Sequence, residues 1–269
     1  MLDILHTVVD IGIEKPIKLL HITDVHLTFS TEHDPAFQQE LMEWRTKTFH
    51  KEGNCPSNTP EEYFREAIRY AEEIGATLIA TGDVIDIYTE GNLLKVNEII
   101  KGHDIMFTPG GHEHQRVCVR TMEEEYPYFK IMREKLKDNF RKFDIDFESR
   151  IIGGVNVITA NNGLDYYNAY TVNRFEEELE RGYPIVVFSH DPVDDPLLGL
   201  TEPYHPNVKL SPEDYLKSNR MLHKLLHDSR VKATFAGHWH RTDECIFHGK
   251  KHYVTDGLFK GKCRLIEIR

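Results

Sequence analysis

The stretch Lys18-Leu19-Leu20-His21-Ile22 is a run of apolar, β-prone residues that ends in a loop carrying Asp24 and His26. Four further runs end in the same way. They are Leu78-Ile79-Ala80 before Asp83, Ile105-Met106-Phe107 before His112, Ile185-Val186-Val187-Phe188 before His190, and Thr234-Phe235 before His238 and His240. Because a sheet brings the loops at its strand ends to one edge, the pattern predicts a common site of metal-binding residues. A hydrolytic site with two metal ions is the leading hypothesis.

The spacing within these loops suits metal binding. Asp24 and His26 are two residues apart, so on an extended segment both side chains leave from the same face and can hold one cation. His238 and His240 repeat that spacing, and Asp83 has two carboxylate oxygens with which to bridge two ions. Two ions held in this way would lower the pKa of a shared water to about neutral, which yields a hydroxide nucleophile for a phosphoester.

Each of these motifs also has an ordinary structural explanation. Asp-Val-His after a strand is commonly a turn, Gly-Asp is a frequent turn dipeptide, and the histidines of Gly-His-Trp-His can cap a strand. The metal hypothesis depends on their conjunction, because all the motifs follow predicted strands and their number matches a site for two ions.

Length, composition and charge limit the class of protein. The chain has 269 residues, of which 40% are hydrophobic, enough to form the core of one large α/β domain. We expect one domain over 1–269, because the ligand loops run from residue 24 to residue 240. The net charge of −11 argues against long nucleic acid as a partner, whereas a small anionic substrate is compatible with bound metal ions.

The cysteines and the first residues carry little functional signal. The cysteines show no C-x-x-C spacing and are interpreted as reduced thiols; they are Cys55, Cys118, Cys245 and Cys263. Acidic residues interrupt the segment 1–16, and no window is apolar enough to span a bilayer. We therefore expect a soluble, cytoplasmic protein without a membrane association.

The order of predicted elements indicates an α/β fold. Thr59-Pro60-Glu61-Glu62 has the residues of a helix start, Gly75 closes that helix, and a strand follows at 77–81. The same alternation recurs further along the chain. It comprises helices near 92–101, 171–181 and 211–227 before strands at 104–108, 185–189 and 231–235. This alternation predicts sheets covered by helices, and short consecutive strands at 143–160 and 244–268 predict hairpins.

A polar segment at about 28–60 interrupts the alternation directly after the first ligand pair. It is rich in turn signals, although residues 36–49 can hold a short helix. Because a long insertion beside a candidate site is commonly functional, we predict that this segment is a wall or lid of the site.

The motif order Asp-x-His, Gly-Asp-x-x-Asp, Gly-x-His-Glu, His and Gly-His-x-His resembles the calcineurin-like metallophosphoesterase superfamily over almost the whole chain. The resemblance implies a four-layer αββα sandwich of two mixed β-sheets flanked by helices. It also implies two sets of metal ligands. They are Asp24, His26, Asp83 and His240 for the first ion, and Asp83, His190 and His238 for the second, with Asp83 as the bridge. The cofactors would be two divalent or trivalent ions, with manganese, iron and zinc all compatible with such ligands.

The resemblance further implies that His112 is the acid that protonates the leaving group, oriented by the carboxylate of Asp86. A histidine can release a proton at neutral pH, and a carboxylate bonded to it fixes the tautomer of its ring. Asp191, which directly follows His190, is either a group that supports the metal ligands or part of a solvated turn, and the turn is favoured.

One motif departs from the family pattern. The chain reads Pro109-Gly110-Gly111-His112-Glu113-His114 where the family has Gly-Asn-His and an acid, so the asparagine that usually binds the second ion is replaced by Gly111. The second ion should bind more weakly unless another side chain supplies a ligand. The candidates are Glu113, His114, Asn161 and Asn162. Three explanations stay open: a natural variant with an adapted site, an inactivating substitution, and a site that works with one firmly held ion.

The leading functional prediction is a metal-dependent phosphoester hydrolase, a phosphodiesterase or a phosphomonoesterase, that acts on a small soluble substrate. The alternative is a degenerate phosphoesterase that binds a ligand or a partner protein without turnover, weakened at the second metal by Gly111. A structural zinc protein is the weakest hypothesis, since structural zinc usually takes cysteines that lie close in sequence.

Overall fold

A computed structural model describes residues 1–52, 59–117, 122–140, 142–193 and 210–269 of the chain. Within them the chain forms eleven strands and six α-helices. The strands are β1 (Asp3–Val9), β2 (Ile17–Ile22), β3 (Thr77–Thr81), β4 (Ile105–Thr108), β5 (Phe147–Ile152), β6 (Val155–Ala160), β7 (Ile185–Phe188), β8 (Val231–Ala236), β9 (Asp243–Phe247), β10 (Lys250–Val254) and β11 (Lys262–Ile268). The helices are α1 (Ala36–Glu52), α2 (Pro60–Ile74), α3 (Glu90–Ile100), α4 (Met122–Asn139), α5 (Ala169–Glu180) and α6 (Pro212–His227).

The strands form two mixed sheets. The first has the order β1-β11-β2-β3-β4, and the second has the order β5-β6-β7-β8-β10-β9. Strands β2, β3 and β4 run parallel in the first sheet, and β6, β7 and β8 run parallel in the second. The predicted ligand loops follow β2, β3, β4, β7 and β8, so all of them leave the carboxyl ends of parallel strands, which is the edge where α/β proteins place their sites.

Three buried apolar clusters separate four layers. The cluster between the two sheets includes Leu19, Ile79, Met106, Phe188 and Phe235. A second cluster joins the first sheet to residues of α2, α3 and α4, and a third joins the second sheet to residues of α5 and α6. The protein is therefore a sandwich of two mixed sheets flanked by helices, which confirms the predicted fold class.

Helix α2 shows how closely local sequence determines an element. Thr59 is the N-cap, its hydroxyl accepts from the amide of Glu62, and the Glu62 carboxylate accepts from the amide of Thr59. This reciprocal pair is a capping box, and Pro60 occupies the first turn, where its missing amide costs nothing. Gly75 ends the helix at a φ of 66°, a left-handed conformation that suits glycine. Both predicted ends are confirmed.

One sequence-based expectation differs from the structure, and one helix had no expectation. The segment 244–268 forms the hairpin β9–β10, but its last strand, β11, leaves that hairpin and inserts between β1 and β2 of the other sheet. Helix α4 had no specific prediction. Both features depend on contacts with distant segments, for which the local pattern gives no signal.

Cys263 is a buried free thiol and Cys245 lies in β9, whereas Cys55 and Cys118 lie outside the described residues. Among the helices that the structure describes, none combines the length and the apolar composition that crossing a bilayer requires. In the polar segment 28–60, α1 extends the predicted helix 36–49 by three residues at its end, and residues 53–58 lie outside the described part.

Candidate metal centre

The loops of the candidate centre have strained backbones. Seven non-glycine residues of the described chain have a positive φ, and five of these are predicted metal ligands. They are Asp24, His26, Asp83, His238 and His240, with φ between 48° and 68°. Residues with a Cβ rarely adopt this conformation, and such strain concentrates at functional sites, where the surrounding structure enforces it.

Two glycines allow these loops to approach one another. A Cβ on Gly82 would lie 2.2 Å from the backbone nitrogen of Gly110, and Gly82 also has a φ of 81°. A Cβ on Gly237 would lie 1.8 Å from the hydroxyl of Thr23. Each contact joins loops that leave different strands, so a larger residue at either position would separate the candidate ligands.

The first cluster consists of Asp24, His26 and His240. Oδ1 of Asp24 lies 3.1 Å from Nε2 of His240, which in turn lies 3.0 Å from Nε2 of His26. Oδ2 of Asp24 accepts from the Thr23 hydroxyl and the amide of His238, whereas Oδ1 is buried without a hydrogen bond. Although burial opposes its charge, His240 lowers the pKa of Asp24 to about 2. The three atoms therefore converge on one point with the carboxylate ionised.

Asp86 and helix α1 support the first cluster from outside. Nδ1 of His26 lies 3.0 Å from Oδ1 of Asp86, which leaves Nε2 of His26 for the cluster. Arg45 of α1 donates to both oxygens of Asp86, from Nε at 2.7 Å and from Nη2 at 2.9 Å. Phe49, also of α1, stacks on the ring of His26 with a centroid distance of 4.5 Å. Contacts of this kind fix the orientation of a histidine ligand.

The second cluster consists of Asp83, His190 and His238. Nδ1 of His190 lies 2.7 Å from the carbonyl oxygen of Thr81, which can only accept, so Nδ1 carries a proton. Nε2 of His190 therefore faces the cluster, 3.1 Å from Oδ2 of Asp83. His238 completes the cluster with its ring centroid 5.2 Å from that of His190, and its ring must be neutral to bind a metal ion.

Support for the second cluster is thinner. The side chain of His238 is 49% exposed, against 0% for His26. At Gly111 there is no side chain, although its φ of −67° and ψ of −39° would permit one. The second cluster is thus more exposed at His238 than the first is at His26, and it has one side chain fewer than the family pattern.

None of the four candidate replacements faces the second cluster. Glu113 accepts from the backbone amides of Gly110, Asp83 and Val84. The side-chain oxygen of Asn162 accepts from the amides of His190 and Asp191. The side-chain oxygen of Asn161 accepts from the amide of Gly163, and its Nδ2 donates to Asp146. His114 is buried beside Arg133 and Asn161 around a separate small cavity. These side chains hold the loops in place instead of offering a ligand.

His112 lies beside both clusters. Its Nδ1 is 2.6 Å from the carbonyl oxygen of Asp86 and 3.4 Å from the carboxylate oxygen Oδ1 of the same residue. Burial disfavours the charged ring, but the carboxylates of Asp83 and Asp86 outweigh it, so the pKa of His112 is raised. The closer partner of His112 is therefore the backbone of Asp86, whereas the Asp86 side chain lies nearer to His26. This second contact of Asp86 had no signal in the sequence.

The turn predicted at Asp191 is present, but its side chain is less solvated than expected. The side chain is only 14% exposed, and Oδ1 lies 3.7 Å from Nδ1 of His238. Burial, together with the nearby charge of Asp165, holds the pKa of Asp191 well above its usual range. Asp191 lies in a bend directly after the buried His190, and its own burial is intermediate.

The donor set fits a pair of metal ions. Oδ1 of Asp24 and Nε2 of His190 are buried without hydrogen bonds, one in each cluster. Buried polar atoms are nearly always paired, and those that are not require an explanation such as a missing ion. Imidazole and carboxylate groups together suit manganese, iron or zinc.

The chain belongs to the calcineurin-like phosphoesterases, whose family model matches residues 17–242. That match includes every residue of the two clusters as well as His112. Family and fold indicate a metallophosphoesterase hydrolase, and the clusters of histidine and aspartate give it residues that can bind metal. No curated protein sequence matches the chain closely enough to count as a relative.

Solved structures with similar folds have very different sequences. A dimetal phosphatase from Danio rerio is 13% identical, with a TM-score of 0.47 and coverage of 91% of this chain and 88% of that one. A phosphopantetheinyl hydrolase from Mycobacterium tuberculosis is 12% identical, with a TM-score of 0.42 and coverage of 90% of each chain.

Proposed function

We propose that this protein hydrolyses a small soluble phosphoester with two metal ions, and that His112 supplies the proton for the leaving group. The observation that carries the proposal is the convergence of two ligand clusters beside one histidine whose ring is held from behind. Asp24, His26 and His240 would hold the first ion, and His190 and His238 the second, with Asp83 shared by both. When bound, the two ions would supply positive charge for the phosphoryl oxygens and a water of lowered pKa.

The residues around the ions have separate tasks. Nδ1 of His112 faces a carbonyl oxygen, which can only accept, so the proton on Nδ1 is fixed and Nε2 is the atom that can release one. The raised pKa of His112 keeps part of the rings protonated at neutral pH, as a general acid requires. Asp86 positions the ring of His112 through its backbone and the ring of His26 through its carboxylate.

Charge supports a small substrate. The chain has 44 acidic and 33 basic residues, so its overall field repels a long polyanion. A small phosphoester depends on the local field of the bound ions instead, because these would be the largest charges in the site. Both a diester and a monoester are compatible with this arrangement.

The proposal is tested with purified protein from which metal has been removed. Manganese, zinc or iron is added, bound metal is measured, and hydrolysis of generic phosphomonoesters and phosphodiesters is followed. We expect turnover only after metal is added, and its loss on chelation. Full occupancy of both sites without turnover of any ester would contradict the proposal.

One observation favours a second candidate. Gly111 removes a usual ligand of the second ion, as would happen in a phosphoesterase that now binds a ligand or a partner without turnover. His112 and six metal-ligating side chains are nevertheless in place, and a pure binding protein has no chemical reason to keep the acid. Turnover in the same assay decides between the two candidates.

A further inference from the structure

We propose that Asp191 supplies the second ion with the ligand that Gly111 lacks. The inference rests on the proposed function in one respect, which is that the second cluster binds an ion. In this chain, a carboxylate from the loop after β7 would replace the asparagine amide that the family places in the loop after β4.

The position of Asp191 carries the inference. Its Oδ1 lies 3.7 Å from Nδ1 of His238, a member of the second cluster, and it directly follows His190, another member. Two ligands of one ion, each about 2.0 to 2.2 Å from it, lie within roughly this distance of each other. The carboxylate of Asp191 lies outside the set of second-cluster atoms that are within 4.8 Å of one another, so a movement of its own side chain would bring it to the same ion.

The surroundings of Asp191 leave one of its oxygens without a partner. Oδ2 is buried and accepts no hydrogen bond. Within the described ranges, no lysine or arginine pairs with this carboxylate, and the ionisable groups that face it are Asp165, Asp83, His190 and His238. A buried carboxylate among other acids is costly unless a cation compensates it, and a bound metal ion supplies that charge.

The backbone of Asp191 is held in place before any ion arrives. Asn162 accepts from the amide of Asp191 at 3.0 Å and donates to its carbonyl oxygen at 2.9 Å. The same asparagine also accepts from the amide of His190 and lies within hydrogen-bond distance of the Tyr167 hydroxyl. Asn162 therefore fixes His190 and Asp191 together, as a partner behind two metal ligands does.

A metal-binding experiment separates this inference from catalysis. Metal-free protein is titrated with Mn²⁺ alone, and free Mn²⁺ is followed by electron paramagnetic resonance. The native protein should bind two ions. Asp191→Ala should keep the first at its native affinity and lose affinity for the second by at least the roughly tenfold to hundredfold that removal of an outer partner costs. Asp146→Asn, which removes a buried carboxylate that already pairs with Arg133, is the matched control and should bind both ions normally.

Rescue distinguishes a ligand from a residue that merely orients His238. Gly111→Asn or Gly111→Asp, combined with Asp191→Ala, should restore the second ion, because either returns an oxygen ligand to the family position. A Cβ at 111 would lie 3.2 Å from the carbonyl oxygen of Gly163, so a shift of a few tenths of an ångström accommodates it. Failure of both rescues would overturn the ligand role.

Two other outcomes also overturn the inference. If Asp191→Ala binds two ions as the native protein does, Asp191 is no ligand, and the proposed two-metal hydrolase survives. If the native protein binds only one ion, the second site itself is absent, and the two-metal part of the proposed function fails with it. Retention of the first ion in every variant shows that the fold is intact.

Discussion

The two halves of the metal centre differ in how firmly the rest of the protein holds them. In the first cluster, His26 is fully buried between Asp86 and Phe49, and Arg45 secures Asp86 with two hydrogen bonds. In the second cluster, His238 is half exposed and position 111 has no side chain. The affinities of two sites with similar ligands can therefore differ, because the residues that orient those ligands differ. The first ion should bind more tightly.

The largest effect is expected from a change that weakens binding of both metal ions at once. Asp83→Asn weakens the carboxylate that the two sites share, so it should abolish binding of the second ion, weaken the first, and lower phosphoester turnover by on the order of a thousandfold. Bound metal and kcat are measured on the same sample. Asp104→Asn, a change at an exposed acid, is the control. Native metal content in Asp83→Asn would show that Asp83 is no bridge.

The next largest effect concerns His112, the proposed general acid, which lies beside both clusters. His112→Gln should lower kcat by about a hundredfold or more with unchanged metal content, because the leaving group then departs without a proton. Esters of p-nitrophenol should lose less, since that leaving group needs no proton. His33→Gln, on an exposed histidine, is the control.

The pH profile sharpens the same assignment. Because the pKa of His112 is raised above 6.5, its acid form persists above that pH and kcat should fall only as pH rises through the raised value. This alkaline fall should be missing from His112→Gln. An unchanged profile and an equal loss for all leaving groups would mean that His112 has a structural task instead.

A smaller effect should separate the two halves. Arg45→Met removes the clamp on Asp86 and should weaken the tighter ion by roughly tenfold to hundredfold, while the weaker ion is unaffected. Metal titration measures both steps, and Lys47→Met, on the exposed face of the same helix, is the control. Equal weakening of both ions would remove the distinction between the clusters.

The smallest effect on activity is expected at a buried carboxylate that has cations of its own. Burial opposes the charge of Asp146, but Arg133 and Lys137 outweigh it and lower its pKa. Asp146→Asn should leave turnover unchanged and lower the free energy of unfolding by about 3 kcal/mol, because it leaves Arg133 without its partner. Denaturant unfolding measures this loss, and a native free energy of unfolding in the variant would contradict it.

The sign of the pH effect at Asp146 follows from its lowered pKa. The stabilisation is fully present above the unfolded value near 3.8 and is lost as pH falls through the lower folded value. Asp146→Asn should therefore flatten the acid side of the stability curve. Asp146 contrasts with Asp191, whose pKa is raised by burial and by the charge of Asp165.

The sequence predicted the parts of this centre that follow from local patterns. Apolar runs such as Ile185 to Phe188 identify buried parallel strands, and the carboxyl ends of such strands meet at one edge. Asp24, His26 and His240, three of the four residues that the family resemblance implied for the first ion, lie in one cluster, and Asp83 lies in the other. Candidate metal ligands can be predicted without a structure when they are histidines and aspartates that follow predicted strands.

The sequence did not predict long-range side-chain contacts or the burial of individual residues. Arg45 meets Asp86 across 41 positions of sequence, from a helix whose composition is merely polar. Asp191 has the pattern of a turn residue because it is an acid next to a proline, and its side-chain exposure of only 14% and its contact with the distant Asn162 are visible only in the structure. Such contacts depend on the tertiary arrangement, for which a single sequence offers no periodic signal.

The most direct test of a metal-dependent phosphoesterase with unequal sites is a stepwise Mn²⁺ titration of metal-free protein that records bound metal and hydrolysis of bis(p-nitrophenyl) phosphate and p-nitrophenyl phosphate together. We expect two unequal binding steps, with turnover that appears as the weaker site fills. Two filled sites with no turnover of either ester, and the same result with zinc and iron, would contradict this expectation.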